Sequence, residues 1–117
     1  MIGAETRALV RERAGERCEY CRLLQRHLRG QGFHVEHIIA RKHRGGDEPA
    51  NLALACDQCN LHKGANLSGL DPDTDAMVRL FDPRRDVWAE HFRFDGAMVT
   101  GLTECGRTLC VGAANEF

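Results

Sequence analysis

Four of the six cysteines in this chain form two Cys-x-x-Cys pairs, Cys18 with Cys21 and Cys56 with Cys59. Two such pairs can present four thiolates in a tetrahedron around Zn²⁺, at Zn–S distances of about 2.3 Å. Because thiolates would fill all four corners, no position is left for water, and the expected role of the zinc is structural. Four buried free thiols or two disulfides are the alternatives.

The cellular compartment decides how the cysteines are interpreted. Six cysteines in a small secreted chain would indicate disulfides. Residues 1–7 include Glu5 and lead into no apolar run of the length, about 7 to 15 residues, that a secretory signal needs. We therefore expect a cytoplasmic protein whose paired cysteines bind metal. Cys105 and Cys110 belong to neither pair and are expected to be small core residues without a function.

A chain of 117 residues, 43% hydrophobic and 28% charged, predicts one globular domain over residues 1–117. The composition argues against a disordered tail or a membrane span. The net charge of −1 hides an asymmetry, since residues 1–46 hold ten Arg or Lys and five Asp or Glu. The rest of the chain is acidic, so a polyanion would bind one part of the surface only.

The periodicity of apolar residues predicts a small α+β protein. An amphipathic helix is expected from Ala4 to about Glu16, and strands from Phe33 to about Ile39 and from Asn51 to Ala55. Cys56 to Cys59 has the composition of a turn, followed by a short helix from Asn60 to about Asn66.

Beyond residue 70 the pattern is weaker. A short apolar segment, Met77 to Phe81, lies between two turns. Val87 to Phe94 and Ala97 to Leu102 flank an Asp-Gly pair, which favours a two-residue hairpin turn. A last helix is expected from Glu104 to about Ala113.

Between and just after the cysteine pairs lies a set of polar residues that could do chemistry: Glu36, His37, Asn51 and Asn60. Each residue alone is weak evidence of an active site. A single histidine on a strand, for example, more often makes local hydrogen bonds than acts as a base. Their order is more informative. Gly45-Gly46 separates the first two residues from Asn51, and Lys63 follows Asn60 by three positions.

In this order the sequence resembles the HNH nuclease family. The matching stretches cover about residues 18–66, and they are Cys18–Cys21, residues 34–40, Gly45-Gly46, Asn51-Leu52 and residues 56–64. The resemblance implies a zinc-stapled ββα-metal (His-Me finger) core, with an N-terminal helix and a C-terminal extension of a β-hairpin and a helix, about residues 70–117.

The resemblance also implies the role of each residue. His37 would be the general base, since an imidazole exchanges protons close to neutral pH. Asn51 would orient the loop and the base, and Glu36 and Asn60 would hold the catalytic divalent ion. The family ordinarily has histidine where this chain has Asn60, whose amide oxygen suits Mg²⁺ or Mn²⁺ better than softer ions.

The alternation of side chains along a strand bears on this assignment. Neighbouring residues of a regular strand face opposite sides, so a bend at the strand end would have to bring Glu36 and His37 into one site. His34 shares a face with Glu36 and could be an extra ligand, although a surface role is the more ordinary one.

The expected reaction is hydrolysis of DNA phosphodiester bonds, with little sequence specificity because no base-reading helix is recognisable. Phosphate contacts are expected from basic residues near the site, namely Arg41, Lys42, Arg44 and Lys63, with Arg22, Arg26 and Arg29 as further candidates. A non-catalytic zinc-ribbon module that binds nucleic acid or protein is the main alternative. A nuclease acting on RNA or branched DNA is another, and the oligomeric state stays open.

Overall fold

The computed structural model describes residues 2–24, 33–96 and 98–113 of the chain. Within these ranges it contains four helices and six short strands. In chain order they are α1 (Ala4–Ala14), β1 (His34–His37), β2 (Leu52–Ala55), α2 (Asp57–Lys63), β3 (Ser68–Leu70), β4 (Met77–Arg79), α3 (Trp88–His91), β5 (Phe92–Asp95), β6 (Met98–Gly101) and α4 (Glu104–Ala113). None of the described helices is long and apolar enough to cross a membrane.

The N-terminal helix is confirmed and ends two residues earlier than predicted. Gly15 terminates it in a left-handed conformation (φ 66°), where its N–H bonds the carbonyls of Arg11 and Glu12. The helix buries Val10 completely. From its last turn Arg13 donates to the carbonyls of Pro49 (3.0 Å) and Leu52 (2.6 Å), so α1 is fixed to the start of β2.

Strands β1 and β2 form an antiparallel pair, with His34 opposite Ala55 and His37 opposite Leu52. All four residues of β2 are buried, as a Leu-Ala-Leu-Ala strand covered on both faces should be. The connection between the strands contains two 3₁₀ turns, Arg41–His43 and Pro49–Asn51. With α2 following directly, the order is ββα, and the predicted fold class is confirmed.

The second cysteine pair lies at the start of a helix, where a turn had been predicted. Helix α2 begins at Asp57, not at Asn60, and ends at Lys63 before Gly64. Cys56 is its N-cap residue. Asp57 in the first turn and Lys63 in the last both complement the helix dipole, which favours a helix that begins directly after Cys56.

A hairpin that the sequence did not predict follows α2. Strands β3 and β4 pair antiparallel around a turn organised by the buried Asp71. The Asp71 carboxylate accepts hydrogen bonds from Asp73 N (3.1 Å) and the Thr74 hydroxyl (3.0 Å). It also accepts two from Arg107 of α4 (3.1 and 2.8 Å), which holds the pKa of Asp71 at about 2. The turn is therefore fixed to the last helix.

The predicted hairpin around Asp95-Gly96 is found, but its first strand begins at Phe92 instead of Val87. Strands β5 and β6 pair as Phe92 with Gly101 and Asp95 with Met98, and Gly96 adopts a positive φ of 64°. The preceding segment, Trp88–His91, is a helical turn instead of a strand. Ala97 lies outside the described residues, and the last helix begins at Glu104 as predicted.

Aromatic side chains join the extension to the first cysteine pair. The Phe81 ring packs edge-on against Tyr20 (6.3 Å between centroids) and Phe92 (5.0 Å). Trp88 stacks on Phe92 and donates its indole N–H to the Tyr20 carbonyl at 2.8 Å. That residues 1–117 fold as one domain stays a prediction, and these contacts support it.

Candidate active site

The four paired cysteines come together as the spacing predicts. Their sulfur atoms all lie within 4.8 Å of one another, and the Sγ atoms of Cys21 and Cys56 are 3.7 Å apart. Three of the four are buried. Hydrogen bonds from the other thiols, that of Cys18 first, hold the pKa of Cys56 well below its ordinary value. Four converging sulfur donors fit a structural zinc ion.

The first cysteine pair is built by a tight turn that is also fixed to the core. Cys18 N–H bonds the Leu23 carbonyl at 2.9 Å, and Arg22 takes a left-handed conformation (φ 68°) to close the turn. Glu19 is buried between the pair and β2. Its N–H donates to the Leu54 carbonyl (2.8 Å), and its carboxylate accepts the Leu54 N–H (2.9 Å). These two hydrogen bonds therefore fix the position of the Cys18–Cys21 turn relative to β2.

His37, the predicted base, is the last residue of β1 and pairs with an acid that the sequence analysis did not single out. Its Nε2 lies 2.7 Å from Asp47 Oδ1, and its side chain is 20% exposed. Arg41 donates two hydrogen bonds to the same carboxylate (2.9 and 2.8 Å). The hydrogen bond with His37, and further contacts that include Arg41, hold the pKa of Asp47 well below its usual range, so this carboxylate is ionised at neutral pH.

Asn51 braces the loop that carries Asp47. Its amide oxygen accepts the Ile39 N–H (2.9 Å), and its amide nitrogen donates to the carbonyls of Ile39 (3.0 Å) and Gly46 (2.9 Å). A side chain at Gly45 would meet the Ile39 carbonyl oxygen at 1.6 Å, so only glycine fits there. Asn51 therefore holds the loop against the chain just after His37.

Glu36 lies in a buried polar cluster instead of on an open surface. It is 8% exposed, the Tyr20 hydroxyl donates to its Oε1, and Lys63 Nζ lies 3.2 Å from its Oε2. Burial raises the pKa of Glu36, and the Lys63 charge opposes that shift. Lys63 is itself only 2% exposed and donates to the His37 carbonyl at 3.1 Å. One ammonium thus joins Glu36 to the backbone of His37.

Comparison with known proteins bears on this geometry directly. Residues 18–66 match the family model described as HNH endonuclease. These residues, fewer than half of the chain, are similar to HNH endonuclease domains. The resemblance inferred from the sequence is confirmed over those residues, which suggests a nuclease or nucleic-acid-binding function. Neither a curated protein nor a solved structure matches the chain.

Within the matched segment, the expected bend between Glu36 and His37 is not found. The pairing of β1 with β2 is regular through His37, so the two side chains face opposite sides of the strand. Glu36 contacts α2 through Lys63, whereas His37 contacts the loop through Asp47. The link between the two residues is the Lys63 ammonium, which reaches the His37 carbonyl.

Lys63 also differs from its expected place on the surface. As long as it contacts Glu36 and the His37 carbonyl, it is shielded from solvent and does not reach outward to a phosphate. Asn60 is half-buried and lies one helical turn before Lys63, on the same side of α2. His34 is exposed and pairs with Asp57 of α2, in keeping with a surface role.

The basic residues that follow β1 are exposed, as expected. They are Arg41, Lys42 and Arg44, which lie on or next to the first 3₁₀ turn. The guanidinium of Arg41 forms an ion pair with Asp47. Arg26 and Arg29 lie outside the described residues. Beside the end of β1 opens a cavity of about 290 Å³, whose lining includes Ile38, Lys63, Arg79 and Arg85. Arg79 and Arg85, which the sequence does not predict near the site, therefore lie close to it.

Asn51→Asp is expected to destabilise the zinc-loaded protein by about 3 kcal/mol. The substitution removes both donated hydrogen bonds and turns a carboxylate toward the carbonyls of Ile39 and Gly46. Urea unfolding at neutral pH measures the loss. Glu48→Gln, an exposed change in the same loop, is the control and should cost less than 0.5 kcal/mol, roughly the range for surface substitutions. Equal stability of the Asn51 variant and the wild type would contradict the bracing role.

Lys63→Met is expected to cost about 3 to 5 kcal/mol of folding free energy, because it leaves the Glu36 carboxylate buried without its cation. Loss of the cation also raises the pKa of Glu36 further. The folded variant then favours the protonated acid, so its stability deficit should shrink as the pH falls from 8 toward 6. Lys63→Met combined with Glu36→Gln should recover most of the loss. A double variant no more stable than Lys63→Met would disprove the charge pairing.

Proposed function

We propose that this protein is a metal-dependent HNH endonuclease that hydrolyses DNA phosphodiester bonds, with His37 as the general base. The observation that carries the proposal is the His37–Asp47 pair, which lies at the end of β1 inside the matched segment and next to the loop braced by Asn51. A partly exposed imidazole held by an ionised carboxylate is the arrangement that general-base catalysis needs.

The base works through both ring nitrogens. Asp47 accepts the N–H of Nε2, which leaves the lone pair on Nδ1. Nδ1 takes a proton from a water molecule as the water oxygen attacks phosphorus. The bond from phosphorus to the 3′ oxygen breaks, and the 3′ oxygen keeps the electron pair and takes a proton from solvent, which leaves a 5′ phosphate and a 3′ hydroxyl. The Asp47 carboxylate then faces an imidazolium, whose charge it compensates. Arg41 holds the carboxylate in place through two hydrogen bonds.

Glu36 and Asn60 are the residues that would hold the divalent ion, Mg²⁺ or Mn²⁺. Both supply oxygen donors, the type these ions prefer, and Asn60 lies on the side of α2 that faces Glu36 through Lys63. The fit requires a rearrangement for two reasons. Lys63 already neutralises the Glu36 carboxylate, and His37 faces the opposite side of β1. A bound ion would supply positive charge for the phosphoryl oxygens.

The substrate backbone would lie across the exposed basic turn after β1. Lys42 and Arg44 are the residues best placed for phosphate contacts, and Arg85 beside the neighbouring cavity could extend them. Lys63 would join only after it leaves Glu36. Contacts of this kind carry no base information, so little sequence specificity is expected.

A second candidate function is a non-catalytic zinc module that binds nucleic acid or protein. One observation favours it. The Glu36 carboxylate already has partners in Tyr20 and Lys63, so its charge needs no catalytic cation for compensation. In that case the cysteine cluster would hold the fold, and His37 would serve only to order its loop.

A nicking assay separates the two functions. The zinc-loaded protein is incubated with supercoiled plasmid in Mg²⁺ or Mn²⁺, and the same preparation is tested on single-stranded RNA and on branched DNA. Conversion of the plasmid to open circles, abolished by mild chelation that leaves the structural zinc bound, supports the endonuclease. Plasmid binding without cleavage of any substrate supports the binding module. Cleavage of RNA or branched DNA alone would reassign the substrate.

A further inference from the structure

The C-terminal extension contains a second cluster of metal-ligating side chains, outside the matched HNH segment. Asp86, His91 and Cys105 each offer one ligand atom, and these three atoms lie within 4.8 Å of one another. They come from the loop before α3, the end of α3 and the first turn of α4. Because Cys105 follows His91 by fourteen residues, only the tertiary fold brings it to the other two.

The His91 ring is held on two sides. Its Nδ1 lies 2.7 Å from the Thr103 hydroxyl. Its ring packs edge-on against Phe81, with centroids 5.8 Å apart. Metal-binding histidines are commonly oriented by such contacts, which reduce the entropy lost when the metal binds. The ring is therefore pre-oriented next to the other two residues.

The Cys105 thiol is buried and supplies the soft donor that distinguishes this cluster from an ordinary acidic patch. Cys105 is 7% exposed and is a free cysteine. Within the described residues no hydrogen bond to its thiol is found. A buried sulfur beside an imidazole and a carboxylate is a donor set that suits zinc.

Arg79 is the competing cation, since it donates two hydrogen bonds to the Asp86 carboxylate, at 2.6 and 2.8 Å. Its side chain is 59% exposed and can turn toward solvent. A carboxylate has about four lone-pair positions, so Asp86 could also keep one of these bonds while it binds a metal. A thiolate and a carboxylate together balance the two charges of Zn²⁺ without the arginine.

We propose that Asp86, His91 and Cys105 bind a second zinc ion, with a water molecule in the fourth position. One sulfur, one nitrogen and one oxygen ligand plus an open position differ from the closed four-thiolate cluster. The second ion therefore binds more weakly and exchanges faster than the first. It would tie α3 to α4 and depends on none of the residues proposed for DNA cleavage.

The test is the zinc content of the full chain. The protein is dialysed to equilibrium against buffer of fixed free Zn²⁺ concentration, and the protein and buffer compartments are analysed for metal and protein. Two ions per chain are expected for the wild type, and one for His91→Ala and for Cys105→Ser. His34→Ala, which removes a histidine from an exposed His–Asp pair elsewhere, is the matched control and should keep two.

Cadmium-113 NMR of the wild type keeps the proposal testable if a variant fails to fold. Two resonances are expected, one in the four-sulfur range and one at the lower shift of a site with a single sulfur. A single resonance at saturating cadmium, or one zinc per wild-type chain, would overturn the second site. A second bound metal ion that remains in both the His91→Ala and the Cys105→Ser variants would be adventitious, and this result would also overturn the proposed site.

Discussion

Replacing Cys56 with serine is expected to unfold the protein. The Cys56 sulfur belongs to the four-cysteine cluster and lies 3.7 Å from the Cys21 sulfur. Structural zinc sites contribute on the order of 10 kcal/mol or more, which is comparable with the whole stability of a small domain. Far-ultraviolet circular dichroism and zinc content, measured together, should show loss of both the native spectrum and the tightly bound ion.

Two further measurements make this result specific to the first zinc. A strong chelator should unfold the wild type to the same end state, and added Zn²⁺ should restore it. Cys105→Ser removes a buried thiol outside the cluster and should leave the four-thiolate ion and the native spectrum in place. Native-like dichroism with an unchanged melting temperature after verified loss of all zinc would disprove the structural role.

The sequence predicted the ββα core well because strong local signals coincide there. The two cysteine pairs, the alternating residues of β1 and the apolar β2 all indicate the same topology. The start of α2 was misplaced by three residues because Cys56 to Cys59 has the composition of a turn. The favourable position of Asp57 at a helix N-terminus was the signal that could have corrected it.

The extension was predicted less well because its elements depend on distant contacts. Strands β3 and β4 have three residues each, too few for a period to show. Their turn is fixed by the pairing of Asp71 with Arg107, which no local pattern reveals. The Asp95-Gly96 turn signal favours a strand that begins at Val87, yet Trp88–His91 forms a helical turn that places the Trp88 ring on Phe92.

Residue types at the site could be predicted, but the directions of their side chains could not. The strand that carries Glu36 and His37 is predictable from the sequence, whereas the bend expected between the two residues is absent. Asp47 was missed because a lone acid in a glycine-rich loop looks like ordinary turn chemistry. Lys63 was expected on the surface because burial of a lysine depends on its partner Glu36, and pairing across elements is invisible to spacing.

His37→Ala is expected to lower the rate of DNA cleavage by about 10² to 10⁴-fold, the usual cost of losing a general base. The substitution leaves the cysteine cluster and the exposed basic turn intact, so the fold and DNA affinity should survive. Asp47→Asn should reduce the rate less, because the imidazole remains and only its orientation and charge compensation are lost. Single-turnover cleavage and DNA binding are measured together at one salt concentration.

The dependence of each variant's cleavage rate on metal concentration then distinguishes loss of the base from loss of an ion ligand. Glu36→Ala should also lose cleavage, and high Mg²⁺ or Mn²⁺ should restore part of it, whereas no ion concentration should rescue His37→Ala. His43→Ala, an exposed histidine on the neighbouring turn, is the matched control and should cleave at the wild-type rate. If folded His37→Ala cleaves within threefold of the wild type, His37 is not the base. The pairing with Asp47 would then serve only to order the loop, as in the binding module.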